Sequence, residues 1–234
     1  MGMLRKIAAI FGILLVAGGL RAGSSTGSVS GIVTFGGTPP KRTVLDLAKE
    51  PDCVKMHAND PLTDQTIVTG RGNGLANVVV YIYVEGDAGA AAGKVEFEQE
   101  GCQYKTHVLA VHTGQEIQII NDDPIAHNIH PLAKVNREWN RMQPAGTPPF
   151  SYSYDNEEFI PVKCNIHPWM HGYFVVLKTS HFAVTGDDGV FRLPDLPPGK
   201  YTLKAWHESL GTQSQEITVT AGGTTTVYVT FGKS

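Results

Sequence analysis

The sequence predicts an all-β protein of small sandwiches, and three observations carry that reading. Apolar residues recur with a period of two over many short runs. Between the runs, 26 Gly and 14 Pro among 234 residues supply turns. Segments with helical periodicity are nearly absent. Hydrophobic residues make up 41% and charged residues 18%, which fits a globular chain and excludes a disordered or fibrous one. A formal net charge of -3 gives no electrostatic footing for nucleic acid.

Residues 1–22 read as an export signal. Arg5 and Lys6 form a basic start, Ile7 to Leu20 is an apolar run, and small residues follow at Ala22 and Gly23. The run is shorter than the roughly 20 apolar residues a membrane span needs. A cleaved signal and a periplasmic or otherwise extracytoplasmic protein are expected; an uncleaved anchor is the alternative.

Residues 23–93 hold two predicted strands separated by a long loop. Ser28 to Phe35 alternates and ends in Gly36-Gly37, Lys41 to Gly74 shows no period, and Ala76 to Val84 is a β-branched, aromatic run suited to a well-covered strand. Glu85 to Gly93 is small and flexible. In residues 94–178, strands are predicted at Val95 to Gln99, Thr106 to Val111, Glu116 to Asn121, Phe150 to Tyr154, Phe159 to Lys163 and Gly172 to Lys178. Residues 179–234 add Val190 to Leu193, Tyr201 to Trp206, and Gln215 to Phe231 broken at Gly222-Gly223.

The chemistry concentrates in Cys164-Asn-Ile-His167-Pro-Trp-Met170, spaced Cys-x2-His-x2-Met. A thiolate, an imidazole and a weak thioether favour copper that cycles between two oxidation states, and such a centre needs a second imidazole. His127, after the turn Asn121-Asp-Asp-Pro124, is the candidate. The expected ligands are His127, Cys164, His167 and the axial Met170. Asn128 is expected to brace the two ligand loops and to direct its backbone N–H at the Cys164 sulfur. Pro168 has no N–H and adds none.

Three cysteines in an exported chain predict one disulfide and one special thiol. Cys164 is singled out by its neighbours, leaving Cys53 and Cys102 to pair. The alternative is a second metal site from Cys53 with His57 and Cys102 with His107. His130 and His171 are placed around the site's surface. His112, His181 and His207 read as solvated or core histidines, and Lys134 to Arg141 as a polar loop. Trp169 is expected to pack the ligand loop; part of an apolar docking face is the alternative.

The stretches Asn121 to His130 and Cys164 to Tyr173 resemble the cupredoxins, the type 1 blue copper proteins of the amicyanin and plastocyanin kind. That resemblance implies a Greek-key β-sandwich holding copper at one end. Its partners would be redox proteins such as a c-type cytochrome, a membrane respiratory complex or a dehydrogenase. The run Thr185 to Leu203 resembles the carboxypeptidase regulatory-like, or prealbumin-like, β-sandwich, whose opening strands look like Val29 to Phe35 and Leu75 to Val84. The copper domain is therefore expected as an insertion at 94–178 into a smaller sandwich; tandem order would leave flanking pieces too small to bury a core.

One-electron transfer, without enzymatic activity, is the expected function. Copper handling is the alternative, weakened by the scarcity of further Met residues. A purely structural or binding module leaves the ligand motif unexplained.

Overall fold

The computed structural model describes residues 25–87, 89 and 93–232. The predicted export segment lies outside the described residues. In chain order the strands are β1 (Gly27–Phe35), β2 (Val79–Tyr81), β3 (Val95–Gln99), β4 (Val108–His112), β5 (Ile117–Asn121), β6 (His127–Pro131), β7 (Arg141–Gln143) and β8 (Phe150–Tyr152). They continue with β9 (Glu158–Lys163), β10 (His171–Leu177), β11 (Phe182–Val184), β12 (Val190–Leu196), β13 (Gly199–His207), β14 (Gly211–Val219) and β15 (Thr224–Phe231). A short helix, α1 (Pro51–Met56), and a 3-10 turn at Arg71–Asn73 interrupt the long loop after β1.

Strands from both ends of the described chain pair with one another. One sheet runs β12-β1-β15 and another β11-β2-β13-β14. β1 lies parallel to β15 from Ser28↔Thr224 to Phe35↔Phe231. Gly31 has no room for a side chain there, since a Cβ would sit 1.9 Å from the Val227 carbonyl oxygen. Val29, Val33, Leu75, Val80, Phe191, Leu203 and Phe231 fill the core between these two sheets.

The strands between β2 and β11 form two further sheets, β4-β10-β9-β6-β7 and β3-β5-β8. Phe97, Ile117, Ile119, Ile129, Tyr154, Ile160 and Phe174 pack between them. The fold is all-β, two sandwiches side by side.

The seam between the sandwiches explains the two longest apolar runs. Successive strand residues face opposite sides. In β10, Phe174 and Val176 enter the middle core, while Val175 and Leu177 enter a seam cluster with Val108 and Ala110. Around β2, Val78 and Val80 enter the flanking core, while Val79 and Tyr81 face the same seam. Trp206 closes the seam, its ring 4.9 Å from Phe159 and 5.2 Å from Tyr173. A strand covered on both faces is apolar throughout.

Several expected elements shift. The Ala76 to Val84 run is regular strand only over Val79–Tyr81. The strand expected to end at Val111 covers Val108–His112, and the broken C-terminal run becomes β14 and β15. The polar segment ending at Arg141 enters β7, and Trp139 packs on Phe150 and Tyr152, with ring centroids 5.7 and 4.9 Å away.

Candidate metal centre

Two neighbouring strands of one sheet position the predicted ligands. His127 follows the turn after β5 and opens β6, and Cys164 follows the last residue of β9. β6 and β9 pair through His130↔Lys163. The Cys164–Met170 loop closes on itself: the Cys164 N–H donates to the Met170 carbonyl at 2.9 Å and the Met170 N–H to that of His167 at 2.9 Å.

The side chains converge. His127 Nδ1 lies 2.9 Å from His167 Nδ1, and Cys164 Sγ lies 3.8 Å from His167 Nδ1. All three donor atoms lie within 4.8 Å of one another. Exposure is 0% for His127, 3% for Cys164, 1% for His167 and 1% for Met170. Met170 belongs to the same buried cluster as Cys164.

Protonation suits metal binding. His127 Nε2–H donates to Asp123 Oδ2 at 2.7 Å, which leaves Nδ1 with a lone pair facing the centre. Burial lowers the His127 pKa below its ordinary value despite the opposing Asp123 carboxylate. Burial also lowers that of His167, with the neighbouring His127 acting in the same direction. Neutral rings are the form in which histidine ligates.

The surrounding hydrogen bonds show what Asn128 joins and which N–H meets the sulfur. Asn128 does bridge the loops: its Oδ1 accepts the Asn165 N–H at 3.0 Å, and its side-chain amide donates to Asn140 Oδ1. The N–H that meets the Cys164 sulfur is that of His167, at 3.4 Å, because the tight loop turns its own backbone inward. Pro168 is exposed. Tyr104 donates to the Asn128 carbonyl at 2.8 Å; burial, then the nearby Cys164, holds its phenol protonated.

The long loop after β1 caps this end of the sandwich. Cys53, in α1, forms a disulfide with Cys102. That bond excludes the alternative metal site from these cysteines and their histidines. The His57 ring nitrogens lie 3.0 and 2.7 Å from the carbonyl oxygens of Asp60 and Gly101, and His107 Nε2 contacts Glu208. Leu47, Leu62 and the disulfide form a small core that also takes in Leu45, Ile125 and Trp169. Trp169 therefore packs the loop as expected, and its indole N–H donates to the Cys102 carbonyl at 2.9 Å.

Sequence reasoning missed Asp123 and the cap. Asp123 also accepts the N–H groups of Gly101 at 2.7 Å and Cys102 at 2.8 Å, tying the disulfide to a ligand's hydrogen bond. The i, i+4 spacing to His127 was the only local sign. For α1 the signs were Pro51 at its start, Asp52 in the first turn and Lys55 in the last.

The family model of the carboxypeptidase regulatory-like domain matches residues 170–232. Among solved structures, the chain is similar to a reduced Cu(I) form of an amicyanin mutant at 26% identity, covering 42% of this chain and 98% of that one, with a TM-score of 0.33. A purple cupredoxin from Nitrosopumilus maritimus is 19% identical over 37% of this chain and 100% of that one, with a TM-score of 0.30. A copper-containing nitrite reductase from Thermus scotoductus SA-01 is 16% identical over 42% of this chain and 25% of that one, with a TM-score of 0.34. No curated protein sequence matches the chain.

Proposed function

We propose that this protein is an exported one-electron carrier whose mononuclear type 1 copper ion is held by His127, Cys164, His167 and Met170. The carrying observation is the buried convergence of His127 Nδ1, His167 Nδ1 and Cys164 Sγ, with burial lowering the pKa of both imidazoles. A copper ion held by such donors supplies reversible one-electron chemistry.

The chain's own residues do the rest. Asp123 fixes the His127 tautomer, the His167 N–H withdraws charge from the sulfur, and Asn128 ties the loops so that the donors do not rearrange. Four ligands no more than 3% exposed leave little room for a substrate, which favours electron transfer over catalysis. The pairing of N- and C-terminal strands around the middle sheets supports a copper domain at 94–178 inserted into a flanking sandwich. The disulfide supports an oxidising, extracytoplasmic location. The partner in this reading is another one-electron protein, such as a c-type cytochrome, a membrane respiratory complex or a dehydrogenase. It approaches where Asn165 and Pro168 expose the ligand loop.

Cu(II) added to the purified protein produces an intense visible thiolate-to-copper band and a reversible redox couple, and Cys164→Ala abolishes both. A colourless, redox-silent copper complex overturns the reading.

A further inference from the structure

We propose a second metal site, separate from the copper centre, in which His107, His171 and Glu208 bind a divalent zinc-like cation at the seam between the sandwiches. One donor atom from each residue lies within 4.8 Å of the others. His107 precedes β4, His171 opens β10, and Glu208 lies in the turn between β13 and β14. Both sandwiches thus contribute.

The geometry is that of a built site. The side chains of His107 and Glu208 are each only 7% exposed, and His107 Nε2 already contacts the Glu208 carboxylate. The His107 and His171 rings stand nearly perpendicular, at 81°, with centroids 5.3 Å apart. His171 Nδ1–H donates to the Trp169 carbonyl at 3.0 Å, so Nε2 keeps the lone pair for a ligand bond. Two imidazoles and one carboxylate, with a water completing the tetrahedron, form an established zinc donor set. A cavity of about 20 Å³ lies against His107 and His171 and is also lined by Gln103 and Gln65, room for about one water.

The charge balance agrees. Burial works against ionisation of Asp64, but hydrogen bonds from Thr66 and the nearby His171 and His107 hold its carboxyl below the ordinary value. Asp64 thus adds a nearby negative charge that the two rings sense. A buried His–Glu pair alone contributes little net stability. With a cation, the same three groups become a bond between the sandwiches, set one residue beyond Met170.

Zn(II) titration tests this independently of the copper reading. In Cys164→Ala/His127→Ala, which lacks two of the copper ligands, one Zn(II) per chain still binds and raises the melting temperature. Adding Glu208→Gln or His107→Ala weakens that binding by more than about tenfold, at least the loss seen when a ligand's outer partner is removed. In the Cys164→Ala/His127→Ala chain, the NMR ring signals of His107 and His171 shift together and saturate at one Zn(II). Unshifted rings, or unchanged affinity in Glu208→Gln, make the trio an ion pair only and overturn the site.

Discussion

Asp123 Oδ2 accepts His127 Nε2–H at 2.7 Å inside a pocket where His127 is fully buried. The carboxylate is itself held by the N–H groups of Gly101 and Cys102, so it cannot swing away. Asp123→Asn presents an amide that can donate to Nε2 and so place the proton on Nδ1. Copper affinity is expected to fall 10- to 100-fold, the usual effect of losing an outer partner. Titration followed by the visible band checks it; unchanged affinity removes Asp123 from the site.

The Cys53–Cys102 disulfide closes a loop of 49 residues in sequence. Chain entropy assigns such a loop about 4 kcal/mol of stability. Cys53→Ser/Cys102→Ser is expected to lose about 2–4 kcal/mol in chemical denaturation. It also loosens the cap, so the His167 pKa rises toward its ordinary value by NMR. A pKa that stays lowered shows that the cap holds without the bond.

Acid should destabilise the metal-free protein. Burial lowers the folded-state pKa of His127, His167 and His207, so the unfolded chain binds more protons below about pH 6.5. Above that value folded and unfolded rings are both neutral and contribute no slope. Stability is therefore full above about pH 6.5 and declines as pH falls through the lowered values. Melting temperatures measured from pH 8 to pH 5 check this; a rise on acidification contradicts it.

Gly172 lets β10 approach β4 closely. A Cβ there would meet the His107 carbonyl oxygen at 2.5 Å, a backbone atom that cannot step aside. Gly172→Ala is expected to cost about 1–3 kcal/mol and, by shifting the neighbouring ligand loop, to alter the copper spectrum. Wild-type stability and spectrum together would show that the strands tolerate the separation.

Much of this was legible locally. β1, β5 and β10 announced themselves by alternation or by a continuous apolar run, and the ligands of the Cys164 loop by their spacing. β6 and β7 did not: His-Asn-Ile-His-Pro turns polar groups inward to serve the site, and Arg-Met-Gln is too short to show a period. The six residues of α1 cannot display a helical stripe either. The seam cluster was invisible for another reason. His107 and Glu208 are separated by 101 residues, and only the closing of the flanking sheets across the middle strands brings them together.

The order of the three cysteines along the chain carries its own consequence. Cys53 and Cys102 both precede Cys164, and a nascent chain emerges N-terminus first. In an exported chain the first two thiols reach the oxidising compartment and meet before the third arrives there. Mispairing between Cys102 and Cys164 is thereby disfavoured by timing alone, and the last thiol arrives with no unpaired cysteine waiting for it. In the exported copper protein proposed above, biosynthesis as much as geometry would keep Cys164 available for metal.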